Sequence, residues 1–222
     1  MSVEITVRGE HEVRRAPERA TARVAVQTEG ASGEEAQAHL GAAAARVADS
    51  LRALHDPGHG PVTWWSSDTV RSGARRPHHD KGKQLPLVHT AAQGFSAKFS
   101  DFGRLGAWLT ASAAVPGFSV AGVGWTLTDA LRSTLVVQAR HEAVRAARTK
   151  AQDYADAAGL GPVRLVALAD AGMLGDGLNP VHAPTSAPAT RMAASATAGP
   201  DLSFAPEDVV LLARVDARFV VD

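Results

Sequence analysis

The end of the chain carries the plainest pattern. Val209, Leu211, Ala213, Val215, Ala217, Phe219 and Val221 fill every odd position, while Arg214, Asp216 and Arg218 stand between them. A period of two predicts a strand with one buried face. The chain begins the same way: Val3, Ile5 and Val7 alternate with Glu4, Thr6 and Arg8 before Gly9. After Pro17, Ala20, Ala22, Val24 and Val26 face one way and Arg19, Thr21, Arg23 and Gln27 the other. Further strands are predicted at about 62–70, 87–99, 118–127 and 163–169.

Period-four spacing marks the helices. In "ASGEEAQAHLGAAAARVADSLRAL", Ser32 and Glu35 form a capping box. Ala36, Leu40, Ala43, Val47, Leu51 and Leu54 then make one apolar stripe, and "HDPGHGP" ends it. A short helix is predicted after Ser100 or Asp101, with Leu105, Trp108 and Leu109 on its apolar side. A long helix starts soon after Asp129 and stops at Gly159, a favoured residue just past a helix end. "RSGARRPHHDKGKQLP" (71–86) is polar and rich in Gly and Pro, so an exposed loop is expected between hairpin strands. Residues 172–206 are rich in Pro, Gly, Ala, Ser and Thr without a period, and a mobile insertion is expected there.

The predicted order is β-β-α-β-β-α-β-α-β-β. Its central β-α-β-β-α-β is the ferredoxin-like order. The expectation is therefore an α+β fold: a single domain over 1–222, one antiparallel sheet, and helices packed on one face.

The long helix carries alanine at 139, 143, 147, 151 and 155. Residues four apart form a ridge. A ridge of methyl groups admits another backbone closely, so the row is a packing device against the sheet or the first helix. A contact between subunits is the alternative reading.

Three stretches resemble the SIMPL-domain family. They are "ITVRGEHEVRRAPERATARVAVQTEGASGEEA", "ARHEAVRAARTKAQDYADAAGLGPVRLVAL" and "APEDVVLLARVDARFVV", in the family's order and spanning nearly the whole chain. The closing motif lacks the glycine usual between its Pro and Glu. The resemblance implies an α+β fold, self-assembly into rings or channel-like oligomers in some members, and links to the bacterial envelope and oxidative-stress tolerance. It supplies no catalytic residues.

Composition narrows the function. The 23 basic and 23 acidic side chains balance, which argues against general nucleic-acid binding. No cysteine is present, so thiolate catalysis and disulfides are excluded. "MSVEITVRGE" has no basic region followed by an apolar one, and no apolar run is long enough to span a membrane. A soluble cytoplasmic protein is expected.

Nine histidines are present, but His55 and His59 flank a Pro-Gly break, and "HHD" (78–80) sits in the predicted loop. No metal-ligand spacing, cofactor motif or nucleophile elbow stands out. "GVG" (122–124) inside a strand suggests a bulge or close backbone approach. The one local basic patch is Arg71, Arg75, Arg76, Lys81 and Lys83, read first as charge that keeps a loop solvated and alternatively as a docking surface for an acidic partner or nucleic acid. Trp64 and Trp65 are adjacent on a strand and must face opposite sides, one toward the core and the other under a loop, at a ligand pocket or, the favoured reading, at an oligomer seam. These features favour a non-enzymatic, self-associating scaffold or binding module without a cofactor, and the resemblance adds the expectation that it is stress-linked. The alternative is a small-molecule-binding protein or enzyme with a pocket between the sheet and residues 172–206.

Overall fold

The computed structural model describes residues 2–78, 84–174 and 205–221. Its fold is α+β, with antiparallel sheets and three helices among the described residues. The expected single sheet is two sheets. They belong to two compact units, one built from residues 2–16, 127–174 and 208–221, the other chiefly from 17–78 and 84–126.

The first unit contains β1 (Val3–Arg15), a long helix (Asp129–Ala157) and two later strands (Arg164–Asp170 and Val209–Val221). The second contains β2 (Arg19–Gly30), α1 (Gly33–Leu54), β3 (Val62–Ser67), β4 (Arg71–Arg75), β5 (Val88–Phe99), α2 (Phe102–Ser112) and β6 (Phe118–Thr126). In chain order the long helix is α3 and the later strands are β7 and β8. The sheets separate because β1 and β2 do not pair. All thirteen residues of β1 pair with β8, whereas β2 pairs with β5 and β6. Pro17 stands between β1 and β2 with no N–H to carry a ladder onward.

In the second unit the sheet order is β3-β5-β2-β6. Each β-α-β connection is split by an antiparallel strand, as in the ferredoxin-like motif. Ser32 Oγ accepts the Glu35 N–H at 3.1 Å, and the Glu35 carboxylate accepts the Ala31 N–H at 2.7 Å. The capping box thus reaches one residue further back than its usual form. Asp101 caps α2 by accepting the Arg104 N–H at 2.9 Å. The stripe of α1 and the even face of β2 close over Phe95, Phe99, Leu105 and Trp108. Trp108 Nε1 donates to Ser50 Oγ at 2.9 Å, so the one polar atom of this buried ring has a partner. A bulge at Ala121, next to Gly122, meets the expectation for "GVG".

The loop expected over 71–86 begins with a strand. β4 pairs with β5 on the same side as β3, so the two form one edge interrupted at 68–70. Asp68 marks the break: its N–H donates to the Gly94 carbonyl at 2.9 Å. Its carboxylate fills the space a side chain at Gly94 would need. The polar composition of "RSGAR" concealed a strand whose five residues are all exposed.

The first unit has sheet order β1-β8-β7, with α3 packed on one face. Thr128 caps α3, and Gly159 ends it at φ +70°, where the Leu160 N–H reaches back to the Ala155 carbonyl at 2.8 Å. All five ridge alanines are at most 1% exposed. Four of them, Ala143, Ala147, Ala151 and Ala155, cluster with Val7, Val215, Ala217, Phe219 and Val221. Opposite them is Gly9, where an added Cβ would stand 2.7 Å from the Ala147 Cβ and inside the contact distance of the Ala143 carbonyl. The last strand therefore has its own helix to cover it and needs no share in the other sheet.

Two substitutions test this contact. Gly9→Ala and Ala147→Leu should each overpack it and destabilise the first unit by about 1–3 kcal/mol. Urea unfolding followed by circular dichroism measures this, and wild-type curves for both variants would refute the account.

Candidate functional site

The basic patch is only partly assembled among the described residues. Arg71 and Arg75 are exposed on β4. Arg75 reaches across β5 to Glu29 on β2, Nη2 to Oε1 at 3.0 Å. Arg76 donates to the Leu85 carbonyl. Lys81 and Lys83 lie outside the described residues, as do His79 and Asp80. Residues 175–204, which include most of the expected insertion and of the alternative pocket's wall, lie outside them too.

The tryptophan pair divides as alternation requires. Trp65 is half-buried against the core, with the Arg52 guanidinium 5.8 Å from its ring centre. Trp64 is 47% exposed. Among the described residues β3 is an edge strand: beyond β5 it makes only an isolated bridge between Val62 and His55.

The histidines flanking "HDPGH" are part of a turn. Asp56 Oδ1 accepts the N–H groups of Gly58 at 2.8 Å and His59 at 3.1 Å. Those two bonds hold its carboxyl below the usual value. Among the described residues no group of three His, Cys, Asp or Glu side chains converges as a metal site would require.

A site that pattern reading missed lies in the first unit. β8 has thirteen residues and pairs with β1 along all of them. β7 has only seven and covers β8 from Val215 to Val220. At Asp170 the chain leaves the edge in a turn, with Gly172 at φ +86°. Asp216 captures that turn: its Oδ2 accepts the Gly172 N–H at 2.5 Å. Arg218 donates to the Leu174 carbonyl at 3.2 Å. Val209–Arg214 therefore has no strand beside it on that side among the described residues.

A groove of about 720 Å³ runs along this uncovered edge. Arg132, Val136 and Arg140 of α3 form one wall, Leu168 and Asp170 of β7 close one end, and Val210–Val215 of β8 form the floor. Arg132 and Arg140 are exposed and make no side-chain hydrogen bond or ion pair among the described residues. Leu168, Val210 and Leu212 are nearly half exposed. The sequence did hold a signal, a seven-residue strand facing one of thirteen, but only the register shows which half stays open.

Asp216 is the one buried charged residue among those described. Arg8 binds it through two hydrogen bonds, at 2.7 and 3.1 Å. The Arg8 pairing, with help from the Gly172 N–H, outweighs burial and holds the Asp216 carboxyl below its usual value. Neighbouring charges pair similarly on that face. Arg214 Nε lies 3.2 Å from Glu10 Oε1, and Arg218 Nε lies 3.0 Å from Glu4 Oε1, out of line for a hydrogen bond.

A depressed folded-state value means that the Asp216 contribution is complete above the unfolded carboxylate value, about 4. It is lost as pH falls through the lower folded value. Asp216→Asn should cost about 1–3 kcal/mol at neutral pH and flatten the acid limb of stability below about pH 4. Urea titrations at several pH values test this, and an unchanged acid limb would refute it.

A family model described as "SIMPL: Protein of unknown function (DUF541)" matches residues 5–219. No curated protein matches the chain. No described helix is long and apolar enough to cross a membrane.

Proposed function

The chain belongs to the SIMPL family, and on that premise we propose that it is a non-enzymatic, self-associating scaffold, a stress-linked binding module that works by assembling copies of itself. The observation that carries this reading is Trp64. A tryptophan buries more apolar area than any other side chain, and leaving one half exposed forgoes much of that gain. Here it stands on an edge strand whose outer side is almost unpaired among the described residues. An uncovered edge with an aromatic anchor is the kind of surface on which interfaces concentrate their binding energy. Self-assembly among SIMPL relatives points the same way. The stress link rests on the resemblance alone.

Light scattering of the purified chain tests the proposal. The wild type should show a mass that is a multiple of the monomer at micromolar concentration. Trp64→Lys should weaken association by about 2 kcal/mol, about 30-fold, while Trp64→Phe retains most of it. A wild type that stays monomeric throughout, or a Trp64→Lys variant that assembles normally, would overturn it.

A further inference from the structure

The half-covered β8 of the first unit carries a second inference, independent of Trp64. We propose that the groove along Val209–Arg214 docks an extended acidic peptide segment of a partner protein, which adds as a strand beside β8 in line with β7.

Backbone supplies the first argument. Among the described residues the strand is paired from Val209 to Arg214 on its β1 side only, so alternate N–H and C=O groups point into the groove. Only another extended backbone satisfies such a row in register. The apolar side chains beside it, Leu168, Val210 and Leu212, offer contacts to the side chains of an added strand.

Charge and spacing supply the second. The first turns of α3 lie over the first half of β8, since Leu135 packs on Leu211 while the later alanines pack on Val215–Val221. Helix and strand thus run in the same direction here. Arg132, Val136 and Arg140 repeat every fourth residue, about 6 Å apart along the helix. Every second residue of a strand advances about 6.6 Å on one face. An added strand therefore matches this wall with an acidic, an apolar and an acidic side chain at alternate positions. Arg214 is already engaged by Glu10, and Asp170 marks the groove's end, so among the described residues the unpaired charge along the wall is that of Arg132 and Arg140. The recognised sequence is thus acidic-x-apolar-x-acidic in extended form.

The probe is a fluorescein-labelled peptide of alternating valine and threonine with two glutamates four positions apart, titrated with the full chain and read by anisotropy. Saturable binding that weakens with added salt is expected. Arg132→Glu with Arg140→Glu should weaken it at least about tenfold, because two attractive contacts become repulsive. Both positions are exposed on the helix, and an unchanged melting curve checks that the variant is folded. A peptide N-methylated on the edge facing β8 should lose binding to the wild-type protein, which requires no variant. Absence of saturable binding, equal binding of a peptide with lysines in place of the glutamates, or full binding of the N-methylated peptide would each overturn the proposal. So would pairing of this edge with a second copy, seen as a concentration-dependent mass that the double substitution abolishes while the peptide fails to bind.

Discussion

Helix α3 meets strand β1 where neither side carries more than a methyl group. Gly9 offers only backbone, and Ala143 and Ala147 press against it. A buried methyl contributes about 0.8 kcal/mol, so five of them do not rival one well-filled leucine core. Their worth lies in the approach they permit. The helix comes close enough for its ridge to touch β1 and β8 together, and dispersion between close-packed atoms then accumulates along its whole length. The register of β1 on β8, and hence everything on the opposite face of that sheet, depends on this contact.

That opposite face is organised by charge. Arg8 and Asp216 are directly opposed in the β1–β8 ladder, and their pairing makes a buried carboxylate tolerable. Asp216 then has a lone pair left for the Gly172 N–H, which draws the chain off the sheet edge after only seven residues of β7. One buried carboxylate thereby ends a strand, and among the described residues half of its neighbour is left without a second partner. The same alternation that buries the odd positions of β8 makes its even positions available for this work.

Much of this was legible in sequence because it is local. Ser32 with Glu35, Asp101 and Gly159 mark helix boundaries through bonds spanning three to five residues. Odd-numbered alternation in β8 and the alanine ridge of α3 are likewise periodic signals. β4 was missed because "RSGAR" is exposed throughout and owes its strand geometry to β5, seventeen or so residues away. The alternation that set Trp64 and Trp65 on opposite sides was readable, but which of the two faces the core depends on which face of the sheet α1 covers, and that is the Trp65 side.

Sequence by itself determined every element but β4, most of their buried faces, the α+β class and the family. Tertiary structure alone decided that the strands form two sheets, which edges stay open among the described residues, and that Arg132 and Arg140 have no side-chain partner there beside one of them. The physical reason is that periodicity reports which face of an element seeks shelter. Strand pairing instead uses backbone groups that every non-proline residue shares, so partner and register emerge only when distant segments meet.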